Sequence, residues 1–413
     1  MIAAATTGRV LLDVAVVLAA AWAGGRLFAR IGQPAVVGEI AAGVALGPTL
    51  LGVLPGDPSA ALFPVDALDV LTLIGELGLA AFMFTVGWDL DLRVARRHEG
   101  AAVTVSIASV VLPFALGLGL AAYLHPDHDT VGGTAVPFWP FALFIGTALS
   151  MTAFPVLARI LGDTRMDSTA VGVLTLTAAA IDDVIGWSVL AFALAALTSS
   201  SAWDYVRIVV ECAAFVAVVL LVLRPALRRL LQGSTPAHEA LVLPIAFGGA
   251  YATDAIGIHA VFGAFLVGVA MPRPSVGEAR RRIAPVVAVL APVYFVTSGM
   301  GVDIPGLRAG DLAAFALILA VACAGKFFGA YAGARAGGMP ARDSAAVGVL
   351  MNTRGLIEIV LLTVGRDQGV IDDRLFTLFA LMALATTLMT APLLRAIARP
   401  ALERVKGHAV AAS

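Results

Sequence analysis

The chain has 413 residues, of which 60% are hydrophobic and 13% charged, with a formal net charge of −1 and a mean hydropathy of +0.95. Soluble globular proteins carry about 25% charged residues, so this composition excludes a soluble enzyme or a disordered chain. The net charge provides no basic surface for nucleic acid. Two cysteines, Cys212 and Cys323, lie in apolar runs without metal-site or disulfide spacing. The composition indicates an all-α polytopic membrane protein.

Apolar runs repeat along the whole chain, separated by short polar turns. A helix needs about 20 mostly apolar residues to cross a bilayer, and many of the runs reach that length. They predict about 13 transmembrane helices. The predicted spans are residues 9–30, 34–53, 66–88, 101–124, 137–161, 169–199, 204–231, 238–254, 257–272, 283–302, 311–336, 342–365 and 374–398.

The distribution of basic residues predicts the orientation of these spans. With the N-terminus outside, most of the 27 lysines and arginines fall in the cytoplasmic loops and the C-terminal tail, as the positive-inside rule requires. We expect a bacterial-type plasma membrane location with a cytoplasmic C-terminus. We also expect no cytosolic regulatory domain and no cofactor.

An acidic pair, Asp182 and Asp183, lies near the middle of span 169–199. Charged groups at this depth are costly and usually mark ion pathways. Adjacent helical residues point about 100° apart, so the two carboxylates should face different neighbours. Neighbouring carboxylates in a low dielectric resist simultaneous ionisation. Such a group can hold a proton or a bare cation, but hardly both, which is the chemistry of exchange. The alternative is a structural polar pair.

Lys326 is a second charged residue at a depth where charge is energetically costly, halfway along span 311–336. The chain has one other lysine, Lys406, and a buried lysine can release its proton whereas an arginine cannot in practice. The simplest partner is an aspartate of the pair. The alternative is a lysine that extends its amine to the membrane surface.

Span 137–161 contains Pro155 in its middle, preceded by Ser150 and Thr152. Proline removes a backbone donor and disturbs the helix before it. We therefore expect this span to be broken near Pro155.

Span 342–365 is interrupted by polar residues and should be broken too. Irregular backbone at membrane depth is tolerated only against protein or a cavity, and the facing ends of broken helices offer carbonyl groups to ions. The last two of its polar side chains are four residues apart and could pair on one helix face. The residues are Asn352, Thr353, Arg354 and Glu358.

The two breaks are about seven spans apart, so the two segments cross the membrane in opposite senses. This is the inverted-repeat arrangement with a midplane site that is typical of secondary transporters.

With these features in place, the sequence resembles the monovalent cation:proton antiporter-2 family, which includes Kef-type potassium systems and sodium/proton antiporters. The similarity extends over nearly the whole chain, in the family's order. The matching stretches are IGQPAVVGEIAAGVALGPTLLG (31–52), GELGLAAFMFTVGWDLDL (75–92), ALSMTAFPVLARIL (148–161), AAAIDDVIGW (178–187), GIHAVFGAFLVGVAMPR (257–273), GKFFGAYAGARAGG (325–338) and MNTRGLIEIV (351–360).

The resemblance implies a homodimer with a scaffold (spans 9–88 and 204–302) and a mobile core (spans 101–199 and 311–398), in which the two broken helices cross. By position it implies that Asp183 binds the cation and the proton, and that Asp182 pairs with Lys326 in one state. It implies that Thr152 and Ser150 help to coordinate the ion. The double aspartate with a lysine resembles the sodium-type, electrogenic members.

The resulting hypothesis is a secondary antiporter that exchanges H⁺ for Na⁺, with K⁺ or Li⁺ as other candidate substrates. A cation channel is an alternative, but the sequence shows no pore loop with repeated filter residues. An intramembrane hydrolase is another, although facing carboxylates on different helices would suit acid–base chemistry better. A third is an anion or organic-solute exchanger of similar fold.

Overall fold

The computed structural model describes residues 4–89, 99–164, 166, 169–198, 202–231, 240–257, 259–272 and 277–411, which are almost entirely helical. A short hairpin pairs strands β1 (Thr130–Val131) and β2 (Thr134–Ala135) antiparallel. The helices are α1 (Ala4–Arg30), α2 (Ala35–Leu46), α3 (Pro58–Leu62), α4 (Val65–Asp89), α5 (Glu99–Leu124), α6 (Phe138–Ser150), α7 (Phe154–Asp163), α8 (Ala170–Thr198), α9 (Ala202–Val218), α10 (Arg224–Leu231), α11 (Val242–Ile256), α12 (Ala260–Ala270), α13 (Gly277–Met300), α14 (Asp311–Ala336), α15 (Ala341–Met351), α16 (Leu356–Asp367) and α17 (Asp373–Ala411).

Each predicted span is occupied by one helix or by consecutive helices, which confirms the all-α prediction. Within the described residues, seven helices are long and apolar enough to cross a membrane by themselves. Others, such as α2 and α12, are apolar but shorter than 18 residues. The number 13 therefore stays a prediction.

The chain forms two compact units, each made of two separate stretches. Unit 1 contains Met1–Leu90 and Ala191–Gly306, and unit 2 contains Asp91–Leu190 and Leu307–Ser413. In unit 1, α4 packs against α12 and α13, while α1 packs against α2. Large apolar side chains on α1 remain exposed, Leu11 and Trp22 among them. This exposure suits helices that are solvated by lipid.

The central contact of unit 2 joins α5 to α14 along a row of glycines on α14. A Cβ atom on Gly329 would lie 2.4 Å from the carbonyl oxygen of Ala108, and one on Gly333 would lie 2.6 Å from that of Thr104. Small residues at such an interface allow two transmembrane backbones to approach closely. The close approach brings polar side chains of α5 within hydrogen-bonding distance of the groups around Lys326 on α14.

The first broken span differs in detail from the prediction. Its helix stops at Ser150 and resumes at Phe154, so residues 151–153 form the break. Pro155 lies in the first turn of α7, where its missing N–H would have no helical partner in any case. The break near Pro155 thus lies just before the proline, because this proline begins a helix.

The second break separates α15 from α16 at residues 352–355, as predicted. Gly355 has a φ of 149°, which a residue with a side chain rarely adopts. Glycine at this position allows the chain to leave the break and begin α16 within one residue.

Candidate functional site

The two breaks touch each other inside unit 2. The backbone N–H of Ala153 donates to the carbonyl oxygen of Thr353 over 2.9 Å. The hydroxyl of Thr152 lies 3.4 Å from the carbonyl oxygen of Met351. Some backbone groups at the two interruptions are thus satisfied by contacts between the breaks.

Asp182, on α8, accepts hydrogen bonds from three other helices or breaks. Ser106 of α5 donates to Oδ1 over 2.7 Å. Oδ2 accepts from Ser109 at 2.9 Å, from Thr152 at 3.2 Å and from the Lys326 amine at 3.1 Å. Four donors around one buried carboxylate satisfy both of its oxygen atoms and hold it in place.

Asp183 lies in a different environment, although it is the next residue. Its side chain is fully buried, and both carboxylate oxygens lack a hydrogen-bond partner among the described residues. Successive residues of a helix point in different directions, which is why one aspartate reaches the donors and the other does not. Asp183 is therefore the carboxylate with free oxygen atoms.

Lys326 and Asp182 form an ion pair in which neither side chain is exposed. The pair was the simplest partnership that the sequence suggested for this lysine. A buried ion pair is tolerated when further hydrogen bonds satisfy the carboxylate, and the hydroxyls around Asp182 supply them.

Arg354 connects the second break to the first broken span by hydrogen bonds. Its guanidinium donates to the carbonyl oxygen of Ala148 at 2.7 Å and also to that of Leu149, near the C-terminus of α6. It pairs with Glu358 at 3.1 Å, as its spacing predicted. A cation beside the last carbonyls of a helix is favoured by the helix dipole. Arg354 thus stabilises the end of α6 and compensates the charge of Glu358.

The remaining predicted residues have different surroundings. Ser150 donates to the carbonyl oxygens of Gly146 and Val110, at 2.7 and 3.1 Å, and not to either aspartate. Thr353 is fully buried with an unpartnered hydroxyl. The Asn352 amide nitrogen lies 3.6 Å from the sulfur of Cys323.

Sequence reasoning did not identify Ser106, Ser109 or Thr387. The first two donate to Asp182, and Thr387 of α17 donates to the carbonyl oxygen of Arg354. Serine and threonine are common in membrane helices, so their identity carries little signal. The spacing of Ser106 and Ser109 by three residues, on one helix face, was the available clue.

The buried ionisable side chains around the crossing leave one negative charge uncompensated when all are ionised. Among the described residues they comprise three carboxyl groups and two basic groups. One monovalent cation or one proton would neutralise the group as a whole. These residues are Asp182, Asp183, Lys326, Arg354 and Glu358.

The chain is similar to several known antiporters. The chain is 36% identical over 394 residues to the Na(+)/H(+) antiporter NhaS4 of Synechocystis sp., a match that covers 93% of this chain and 96% of that one. It is 34% identical to Cation/H(+) antiporter 20 of Arabidopsis thaliana over 91% of this chain. It spans about half the length of that relative, 47% of it.

The structure matches the solved sodium proton antiporter MjNhaP1 from Methanocaldococcus jannaschii with a TM-score of 0.66, covering 95% of this chain and 97% of that one. At 16% identity this match shows the fold alone. The family model described as "Sodium/hydrogen exchanger, transmembrane" matches residues 14–397. The chain therefore belongs to the sodium/hydrogen exchanger family.

Proposed function

We propose that this chain exchanges H⁺ for a monovalent cation by alternating access at the Asp182–Asp183 pair. The family is one of transporters, not enzymes, and the relative NhaS4 is named as a Na⁺/H⁺ antiporter. Na⁺ is therefore the first candidate cation, with K⁺ and Li⁺ as further candidates. The observation that carries the proposal is the pair of buried, unpartnered oxygens on Asp183.

In this mechanism Asp183 binds the transported ion. Its free oxygens can take a proton or ligate a cation, and either one neutralises the negative charge of the buried cluster. Polar groups of the unwound segments are candidates for further ligands, as at other transporter sites between broken helices. The hydroxyls of Thr152 and Thr353 belong to those segments.

Asp182 has a different role in the proposal. Its four donors fix its position next to Asp183 and occupy its oxygen atoms, so that Asp183 is left to bind the transported ion. Lys326 compensates the charge of Asp182 in this state and releases it in another. Replacing Lys326 with alanine should therefore weaken exchange or change its dependence on membrane voltage.

Neutralisation of the buried site by a bound ion explains why cation movement is coupled to proton movement. Moving an uncompensated charge through hydrocarbon costs at least about 2.5–3.5 kcal/mol even on insertion scales. The loaded site, with either ion, avoids that cost and can move, whereas the empty site cannot. All five charged residues belong to unit 2, which supports unit 2 as the mobile core and unit 1 as the scaffold.

The proposal extends to the membrane and to assembly. The positive-inside pattern supports a bacterial-type plasma membrane with the N-terminus outside and the C-terminus in the cytoplasm. A homodimer is proposed because the family resemblance implies one.

Reconstitution in proteoliposomes tests the function. The parent should dissipate an imposed pH gradient when Na⁺ is added, and the same assay with K⁺ and Li⁺ orders the cations. Asp183→Asn should abolish exchange because the amide can neither release a proton nor supply a negative ligand. Normal exchange by Asp183→Asn, in a monodisperse preparation, would refute the assigned role.

A further inference from the structure

A cavity of about 380 Å³ lies between α14, α15 and α17 of unit 2. Its walls are almost entirely apolar, with Phe327, Phe328, Val349 and Leu393 among them. Phe328 and Leu393 are 58% and 45% exposed, so the cavity opens at the outer surface of these helices. Its volume falls within the range of small-molecule sites, about 300–1,000 Å³.

One buried polar side chain, Asn352, lines this apolar cavity. It is only 6% exposed, and its Nδ2 is 3.6 Å from the Cys323 sulfur, which also lines the cavity. Its Oδ1 is buried and has no hydrogen-bond partner in the part of the chain that the structure describes. A buried acceptor of this kind costs free energy until a donor reaches it.

The apolar walls and the single buried acceptor together determine which kind of molecule could fill the cavity. A pure hydrocarbon chain would fill the apolar walls but leave Oδ1 of Asn352 unpaired. A charged head group would lose its hydration with no counter-charge among the described lining residues. A neutral molecule with an apolar body and one hydroxyl group satisfies both the walls and the acceptor.

We propose that this cavity is a binding site for a neutral, long-chain alcohol that enters from the hydrocarbon of the bilayer. Its hydroxyl donates to Oδ1 of Asn352, and its chain packs against Phe327, Val349 and Leu393. The site is separate from the Asp182–Asp183 pair. It touches the second break nonetheless, because Asn352 is the first residue after α15 and precedes Thr353, which pairs with Ala153.

Alkylation of Cys323 provides a readout that does not depend on transport. The protein would carry Cys212→Ser, which leaves Cys323 as the single cysteine, and would be held in lipid nanodiscs. N-ethylmaleimide labelling is followed by mass spectrometry with no additive, with 1-decanol and with decane at equal membrane content. We expect decanol to slow the labelling more than decane does.

Two variants locate the effect. Asn352→Leu removes the acceptor, so decanol should bind roughly two- to tenfold more weakly, the range expected for one neutral hydrogen bond. Ala320→Phe places bulk at another lining position, so Cys323 should be protected without any additive and decanol should add nothing.

A control separates binding from a general effect on the bilayer. A cysteine introduced at Leu317, an exposed position on the same helix, should react at the same rate with and without decanol when Cys323 is replaced by serine. Equal protection by decanol and decane, equal protection at position 317, or no protection of Cys323 would each overturn the proposal.

Discussion

Asp182 and Asp183 are neighbours in the chain, yet the oxygen atoms of their carboxylates differ in hydrogen bonding. Asp182 receives four donors, and Asp183 receives none among the described residues. A carboxylate that is already saturated is poorly suited to release and rebind an ion. A carboxylate with free oxygens is well suited to it. The difference supports the proposal that Asp182 is a fixed group and that Asp183 is the exchangeable site.

The two serines of α5 that donate to Asp182 should contribute to both stability and exchange. The double variant Ser106→Ala, Ser109→Ala removes two donors to a charged acceptor, each worth about 1.5–3 kcal/mol. We expect a lower melting temperature and slower Na⁺-driven dissipation of a pH gradient. Ser344→Ala is the matched control, since Ser344 is buried in unit 2 but donates to the backbone oxygen of Pro340. A double variant that behaves like this control would contradict the role of the serines.

The charged residues of the site could be predicted from the sequence, whereas the uncharged ones could not. Asp183, Lys326 and Arg354 stand out because charged groups are rare at membrane depth. Ser150 and Ser106 are equally ordinary residues, and which of them reaches the aspartate depends on helix rotation and on the α5–α14 approach. That approach follows from glycine contacts between segments more than 200 residues apart in the chain, which no local pattern shows.

At the scale of elements, the breaks are stabilised by contacts to other helices. Arg354 donates to the C-terminal carbonyls of α6, and Thr387 of α17 donates to the carbonyl of Arg354. The sequence predicted that both spans are broken. It did not give the exact bounds of the first break, because proline is compatible with two positions, inside a disrupted helix or in the first turn of a new one.

The backbone at Gly355 should be intolerant of a side chain. Its φ of 149° lies in a region that costs other residues about 1–3 kcal/mol, so Gly355→Ala should lower the melting temperature and slow exchange. Gly119→Ala is the matched control, because a Cβ at Gly119 on α5 would meet no atom within 4 Å. Equal stability of the two variants would show that the break does not depend on this backbone conformation.

Asp372 stabilises the start of α17 outside the membrane spans. Its Oδ1 accepts from the backbone N–H of Leu375 at 2.8 Å, and its Oδ2 lies 2.6 Å from Nδ1 of His128. Burial alone would raise the pKa of this carboxyl, but the hydrogen bonds from His128 and Leu375 and the charges of His128 and Arg374 outweigh it and hold the pKa below its ordinary value.

A lowered pKa in the folded state gives stability that is present above the unfolded pKa, about 3.9, and lost as pH falls through the folded value. Asp372→Ala should cost about 0.5–2 kcal/mol at neutral pH through the lost helix cap. Asp372→Asn should keep the cap but lose the stability that depends on the charge. Melting temperatures between pH 3 and pH 7 test this, and a parallel pH dependence in parent and Asp372→Asn would contradict it.

At the scale of the whole molecule, the chain separates into two units, and one of them contains the entire buried charge cluster. When all five side chains are ionised, the cluster has one uncompensated negative charge, which a single bound cation or proton would neutralise. This explains physically why a cation and a proton can replace each other. If more than one proton exchanges per cation, the membrane potential adds about 2.3 kcal/mol per net charge per 100 mV.

The most direct test is the apparent KM for Na⁺ as a function of pH, measured in proteoliposomes with the same pH on both sides. Competition for Asp183 predicts that KM rises about tenfold for each unit by which pH falls, once the proton occupies most sites, while the maximal rate at saturating Na⁺ is maintained. A KM that stays constant over that pH range, with only the maximal rate changing, would show that the cation and the proton do not share one site.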